Sequence, residues 1–164
     1  MHNILIIIDP QENKCKSLSK EARDEFVKNI CDRVQYHVEE ENNDVLGTLD
    51  RRYVSDKHPF IFEELKETII GLPNVHIPIQ NKYTLGSLDL VNQVLKLHRQ
   101  YEHEDGIKVE ICGTNANYES LVTAMTLKSL IPKIVVEMNL GCISEKIEES
   151  IPFAQTVGIE LVSF

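Results

Sequence analysis

Asp9 follows the most apolar stretch of the sequence, at a position that suits acid–base chemistry. Residues 3–8 are mostly isoleucine, and the aspartate comes directly after them. A carboxylate at the end of a buried strand is partly removed from water, which raises its pKa and suits it to act as a general base. A loop aspartate that caps a turn fits the same position equally well, so both interpretations stay open at this point.

Two further segments carry candidate functional groups where predicted strands end. Lys82 ends the third predicted strand, where its charge would face Asp9, although a solvated lysine is the more common state. Gly113 ends the fourth, and a turn over residues 114–118 leads into a helix at Glu119. A strand, a turn and a helix in this order direct a side chain and several backbone N–H groups into one cleft, as a nucleophile elbow does.

The hydrophobic pattern predicts six strands that alternate with helices. The strands are expected at residues 3–8, 45–49, 75–79, 107–112, 134–138 and 159–162. Strands without polar alternation are typical of a parallel sheet that helices cover on both faces. Right-handed crossovers then give an α/β fold, a three-layer α/β/α sandwich around a six-stranded, mainly parallel, Rossmann-like sheet. Functional groups of such sheets gather beyond the carboxyl ends of the strands.

Apolar residues at helical spacing predict the intervening helices. The first begins near Lys20 behind a Ser19 cap, and an apolar stripe follows it to Val38. The others are expected at residues 60–70, from 88 to before Gly106, and at 117–130 and 144–156. Pro78 lies within the third predicted strand and indicates either an edge position or an early end of the strand, because proline donates no ladder hydrogen bond.

Length and charge exclude several functional classes. The 164 residues suit one domain, so we expect residues 1–164 to form a single unit. A formal net charge of −9 argues against a nucleic-acid surface, which needs clustered Lys and Arg. No apolar run approaches the roughly 20 residues that span a bilayer, and the amino terminus lacks the marks of a signal peptide. We therefore expect a cytoplasmic protein without nucleic-acid or membrane partners.

The cysteines and the glycines give no standard binding motif. Cys15, Cys31, Cys112 and Cys142 lie far apart, without a CxxC pair or zinc-knuckle spacing. Without a secretion signal they are expected to be reduced thiols, with Cys31 and Cys112 as small core residues. The sequence also lacks GxGxxG and GxxxxGK[ST], so dinucleotide and P-loop nucleotide sites lose their main support.

Four segments together resemble the isochorismatase/nicotinamidase superfamily of cysteine hydrolases. They are ILIIIDPQ, KYTLGSLDL, EICGTNANYESLVTA, and IVVEMNLGCIS followed by a helix and IELVSF. They occur in the family's order across essentially the whole chain. The resemblance implies an isochorismatase-like hydrolase domain over residues 1–164.

The resemblance also implies roles for individual residues. In this family an aspartate is the base for a cysteine thiolate that attacks an amide or related bond, and a lysine supports the charge of the pair. Asp9 and Lys82 match these two residues. Backbone amides of the elbow hold the oxyanion, and the corresponding oxyanion and pocket residues here are Thr114, Asn115 and Tyr118.

The nucleophile position departs from the family, because Glu119 stands where relatives have cysteine. A carboxylate is a much poorer nucleophile toward an amide than a thiolate. It would also lie close to Asp9, and two nearby carboxylates resist joint ionisation unless Lys82 and the helix N-terminus offset the repulsion. The simplest structural interpretation is an acidic first-turn residue stabilised by the helix dipole and by that lysine.

A second departure concerns the pocket wall. Many family members carry an Asp-Phe pair four and five residues after the base, where this chain has Asn13 and Lys14. A nicotinamide-like ring would lose an aromatic stacking partner as a result.

The resemblance further implies a divalent metal such as zinc, which nicotinamidases of the family hold with a DxH motif and a later histidine. Asp56 and His58 have that spacing, and His76 resembles the later histidine. In an alternative alignment the motif's aspartate is Asp50, at the end of the second strand. Arg52 then takes the place of the motif's histidine and would repel a cation. A lone DxH is more often solvated surface than a metal site, so both alignments stay open, and so does the absence of a metal from either.

Three functions are compatible with these residues. In the first, the hydrolase fold has lost thiol catalysis and serves in binding, regulation or assembly. In the second, Asp9 and Glu119 act together, with or without a metal ion, to hydrolyse a small amide or related bond. In the third, a hydrolase of the family type takes its nucleophile from another position. We favour the first, with a small-molecule ligand and, as is common in the family, a homo-oligomer.

Overall fold

The computed structural model describes residues 1–39, 43–51, 61–77, 79–80, 88–101, 106–114, 119–131, 133–144, 148 and 151–163. The strands in these ranges are β1 (His2–Ile8), β2 (Asp44–Asp50), β3 (Val75–His76), β4 (Ile79–Gln80), β5 (Ile107–Gly113), β6 (Val135–Ile143) and β7 (Glu160–Val162). The helices are α1 (Lys20–Glu39), α2 (Glu63–Ile69), α3 (Leu88–Gln100), α4 (Leu121–Leu130) and α5 (Ile151–Thr156), and a 3₁₀ turn spans Glu12–Lys14.

The described strands form one parallel sheet in the order β3-β2-β1-β5-β6-β7. β4 also pairs with β2, so β3 and β4 share one edge position as two short pieces. The sheet therefore has six strand positions, and the edge position indicated by Pro78 is the one that these pieces occupy. The predicted six-stranded α/β sandwich is confirmed.

The central strands are buried on both faces, which explains why the sequence shows no polar alternation there. Along β1, Ile4, Ile6 and Ile8 pack into a core layer shared with α3 and α4. Leu5 and Ile7 of the same strand pack into a second layer, which α1 and α2 cover. Each buried aliphatic side chain contributes roughly 1.5–3 kcal/mol to folding, so the strand is held from both sides.

Helix α1 begins where the sequence predicts, because the backbone N–H of Ala22 donates a hydrogen bond to Ser19 Oγ at 3.2 Å. Other boundaries differ from the predictions. α2 is shorter than the predicted helix over 60–70, and β6 continues to Ile143. Hydropathy missed this continuation because it contains polar Asn139, and its pairing with β5 shifts register between Met138 and Ile143. Within the described ranges, no helix combines the length and apolarity needed to cross a bilayer.

Candidate functional site

Asp9 stands at the carboxyl end of β1 in an unusual backbone conformation. Its φ is +46°, in the left-handed region that few non-glycine residues adopt. The Asp9 N–H donates to Thr48 O at 2.9 Å, and the Asp9 carbonyl accepts the Gln11 N–H at 2.7 Å and the Thr114 hydroxyl at 3.0 Å. These bonds to two neighbouring segments hold a conformation that costs about 1–3 kcal/mol.

The Asp9 carboxylate is fully buried and is hydrogen-bonded through both oxygens. Oδ1 accepts from the Thr48 hydroxyl at 2.7 Å, and Oδ2 accepts from Lys14 Nζ at 2.7 Å. Both carboxylate oxygens are therefore directed into the site, one toward β2 and one toward Lys14.

Lys14 is the residue that joins the acidic groups of the site. Its Nζ also donates to Glu119 Oε2 at 3.1 Å and lies 3.7 Å from Asp50 Oδ2. Burial disfavours the ammonium form, but the interactions with Asp9 and Glu119 outweigh this effect and raise the pKa of Lys14 above its usual value of 10.5. The lysine is therefore charged at neutral pH.

Asp50 reaches the site from the carboxyl end of β2 and is also fully buried. The side-chain amide of Gln11 fixes its backbone: Gln11 Nε2 donates to Asp50 O at 3.1 Å, and the Asp50 N–H donates to Gln11 Oε1 at 2.7 Å. The loop after β1 is thereby attached to the end of β2.

Glu119 is buried in a wide helical turn that precedes α4. Thr114 is held against the end of β1, because its N–H donates to Ile8 O at 2.8 Å, and the Ser120 hydroxyl in turn donates to Thr114 O at 3.4 Å. As a result, three carboxylate oxygens lie within 4.8 Å of one another, one each from Asp9, Asp50 and Glu119. We call these three residues the acidic cluster.

The acidic cluster lies where a functional site is expected in this fold. Its members follow strands β1, β2 and β5, which are neighbours in the sheet. The order of the strands reverses between β1 and β5, and ligands of open α/β sheets bind at such a switch point.

The structure thus brings together Asp9, Glu119 and Thr114 from the sequence-predicted site residues. His76 lies elsewhere: it is exposed on β3 and pairs with Leu46, about 13 Å along β2 from Asp50. The remaining predicted site residues lie outside the described residues; they are Asp56, His58, Lys82, Asn115 and Tyr118.

Sequence reasoning missed the association of Lys14 and Asp50 with Asp9. Asp50 carries the same signal as Asp9, since both are acidic residues that end an apolar strand. In the sequence, Lys14 is conspicuous only because it replaces an aromatic residue of the family's pocket wall. Its approach to Asp9 depends on the 3₁₀ turn between them, which no hydrophobic pattern marks.

The cysteines nearest to the predicted elbow are not activated thiols. Cys112 and Cys142 are completely buried in the core layer beneath α1. Burial and the neighbouring Cys142 raise the pKa of the Cys112 thiol well above its usual range. Burial also raises the pKa of Cys31, so the thiols of Cys31 and Cys112 remain protonated and poorly nucleophilic at neutral pH.

Comparison with solved structures shows which fold this is. A nicotinamidase from Bacillus subtilis matches with a TM-score of 0.70 at 13% identity, over 99% of this chain and 100% of the other. A nicotinamidase from Staphylococcus aureus matches with 0.69 at 17% identity, over 99% and 98%. A pyrazinamidase from Pyrococcus horikoshii in complex with zinc matches with 0.65 at 19% identity, over 99% of each chain.

No family model and no curated protein sequence matches this chain significantly. The chain has the isochorismatase-like α/β fold of nicotinamidase-like hydrolases. At such low identities the likeness extends to the fold, and function must be argued from the site.

The zinc in one neighbour makes it necessary to ask whether the residues described here suit that ion. Zinc in proteins is bound mostly by histidine and cysteine, whereas the acidic cluster offers carboxylate oxygens, which suit Mg²⁺ or Mn²⁺ better. The Lys14 ammonium also lies within 3.7 Å of an oxygen of each carboxylate. The described residues therefore do not fit a zinc ion.

Proposed function

We propose that this protein is a pseudoenzyme of the isochorismatase/nicotinamidase-like hydrolase fold, in which Glu119 occupies the nucleophile position. It lacks thiol-based amide hydrolysis and retains a small-molecule-binding or structural role at the carboxyl ends of β1, β2 and β5. The observation that carries this proposal is the pair of buried carboxylates, Asp9 and Glu119, that share the Lys14 ammonium. A base opposite a second carboxylate has no thiol to activate.

The chemistry of Glu119 supports a loss of hydrolysis. Its Oε2 accepts a hydrogen bond from the charged Lys14, and an oxygen that shares its lone pair with a cationic donor is a weaker nucleophile. Even a free carboxylate attacks amides poorly compared with a thiolate. Cys112 and Cys142 are completely buried, and the raised pKa of Cys112 keeps its thiol protonated, so they are poor replacement nucleophiles.

The alternative is an active hydrolase of a small amide or related C–N or ether bond that uses Asp9, Lys82 and Glu119, or a metal-activated water. The close approach of the Asp9 and Glu119 carboxylates favours the version of this alternative that uses side chains over the version that uses a metal-activated water. When two carboxylates lie this close, one tends to hold a proton while the other is ionised, which is the arrangement of an acid–base pair.

Hydrolysis assays with nicotinamide and simple amides test the proposal. We expect no turnover by the wild-type protein, and slow turnover by Glu119→Cys that thiol alkylation abolishes, since Asp9 then faces a thiol. Cys112→Ala in the same background is the matched control and should retain the restored activity.

Two results would contradict the proposal. Wild-type turnover that Glu119→Gln abolishes and alkylation spares would support the paired-carboxylate hydrolase. Wild-type turnover that alkylation abolishes would mean that a thiol enzyme remains.

We further infer a cytoplasmic homo-oligomer formed by single-domain subunits. Light scattering coupled to gel filtration measures the subunit number, and a monomer at micromolar concentration would contradict the inference.

A further inference from the structure

The Lys14 ammonium takes the place that a divalent ion would need among the three carboxylates. Its Nζ lies 2.7 Å from Asp9, 3.1 Å from Glu119 and 3.7 Å from Asp50. Mg²⁺ and Ca²⁺ bind carboxylate oxygens at roughly 2.0–2.6 Å, so an ion on the same oxygens would lie against this positive charge. Coulomb repulsion at such a distance, away from water, is strong.

The backbone holds the lysine in this position from both sides. The Lys14 N–H donates to Gln11 O at 2.9 Å, and the next residue's N–H, that of Cys15, donates to Glu12 O at 3.1 Å. The Gln11 and Cys15 side chains are buried, and only 7% of the Lys14 side chain is exposed. Moving the ammonium out to solvent would leave buried carboxylates without this partner, which is costly.

From this geometry we infer that Lys14 is the resident cation of the site, and that the site operates without a bound divalent metal. Lys14 is a positioning residue, because its ammonium contacts the Asp9 and Glu119 carboxylates together and offsets the repulsion between them at close range. The inference rests on the proposed function in one respect, the identification of the acidic cluster as the functional site.

Metal binding by the purified full-length protein tests this inference. After treatment with EDTA, the wild type, Lys14→Met and Lys14→Arg are titrated with MnCl₂ and with ZnCl₂ by calorimetry, and their melting temperatures are recorded. Lys28→Met is the matched control, because Lys28 is an exposed lysine that pairs with Asp32 on the surface of α1.

We expect the wild type, Lys14→Arg and Lys28→Met to bind neither ion at the site. Lys14→Met should bind about one equivalent of Mn²⁺, at least roughly tenfold more tightly than the detection limit that the wild type fails to reach, and should melt at a higher temperature when Mn²⁺ is present. Adding Asp50→Asn to Lys14→Met should remove the gain, since it takes away one carboxylate oxygen.

Two outcomes would overturn the inference: a wild type that binds one equivalent of zinc or manganese and loses it on Asp50→Asn, or a folded Lys14→Met that gains no affinity. Elemental analysis of the purified wild type covers the case in which Lys14→Met does not fold. Stoichiometric metal there overturns the inference, and its absence together with an EDTA-insensitive melting temperature supports it.

These measurements separate the inference from the proposed function. Hydrolysis of amides by the wild type would contradict the proposed loss of activity. If EDTA leaves that hydrolysis unchanged, the inference that Lys14 takes the place of a metal ion still holds.

Discussion

At the residue scale, two groups of buried charges among the described residues are neutralised by partners from distant segments. The first is the acidic cluster with Lys14. The second surrounds Glu110 in β5, which lies beneath α1. Arg33 Nε donates to Glu110 Oε1 at 2.9 Å and a second guanidinium nitrogen donates to Oε2, while Asn139 Nδ2 donates to Oε1 at 2.8 Å. His37 Nε2 lies 3.2 Å from Oε2.

These partners determine the ionisation of Glu110. Burial by itself would raise the pKa of this carboxyl, but the hydrogen bonds from His37, Arg33 and Asn139 outweigh burial and lower its pKa to about 2. A pKa below the ordinary value of 4.5 means that the folded state holds the charged form more favourably than the unfolded state does.

We therefore expect Glu110 to contribute to acid sensitivity. Its stabilisation is present above pH 4.5 and is lost as the pH falls toward about 2, with a total on the order of 3 kcal/mol. Urea unfolding across this range should show that Glu110→Gln, although less stable at neutral pH, loses less stability on acidification than the wild type. Glu63→Gln, at an exposed carboxylate on α2, is the control. Identical pH profiles for the wild type and Glu110→Gln would contradict this account.

Lys14 has a predicted effect on stability as well as on metal binding. Lys14→Met leaves the buried carboxylates of Asp9, Asp50 and Glu119 without this ammonium, and breaking a buried ion pair in this way costs about 3–5 kcal/mol. Denaturant unfolding at neutral pH measures the loss. Lys28→Met should change stability by less than about 0.5 kcal/mol, since its ion pair is exposed. Equal effects of the two substitutions would contradict the importance of the buried ammonium.

At the element scale, the contact between the ends of β1 and β5 decides whether the site forms. Gly113 has a φ of +124°, and a Cβ built at this residue would lie 2.2 Å from Ile8 O. The absence of a side chain lets Gly113 lie directly on the end of β1, and Glu119 follows 6 residues later. This contact therefore depends on glycine for steric room as well as for backbone conformation.

Gly113→Ala should accordingly lower the free energy of unfolding by more than about 3 kcal/mol, because the new methyl group forces the two strand ends apart. Gly106→Ala is the matched control: its φ of +95° is also unfavourable for alanine, but no atom lies within 4 Å of the added carbon. We expect the control to lose only about 1 kcal/mol. Denaturant unfolding of both variants checks the difference, and equal losses would show that steric room at β1 is unimportant.

At the scale of the whole molecule, stability should be graded across the sheet. β1 and β5 are paired on both sides and lie between two core layers, whereas β3, β4 and β7 are paired on one side. The site is attached to the most deeply buried strands, so its geometry should persist when the edges open.

Amide hydrogen exchange tests this gradient. We expect the slowest exchange in β1 and β5, with opening free energies near that of global unfolding, and values at least about 2 kcal/mol lower in β7. Protection in β7 equal to that in β1 would contradict the gradient.

Much of the fold was predictable because two-sided burial leaves a direct record in sequence. The aliphatic run of β1 requires helices on both faces, and alternation with helical segments requires parallel pairing. The predicted boundaries of strands and helices are wrong where the hydrophobic pattern is weak. Polar Asn139 lies within β6, and the wide turn at Glu119 precedes the regular part of α4. Local geometry at these places is decided by neighbours rather than by hydropathy.

The sequence by itself determined the order of strands and helices, and it placed Asp9 at the end of the first strand and Glu119 at the start of the helix that follows the fourth predicted strand. Only the tertiary structure decided which groups surround them. Lys14 is 5 residues from Asp9 but 105 from Glu119, and Asp50 comes from another strand. Hydrophobic periodicity depends on one element's own burial, whereas an ion-pair cluster depends on how the ends of several elements meet, and that arrangement exists only after the chain has packed.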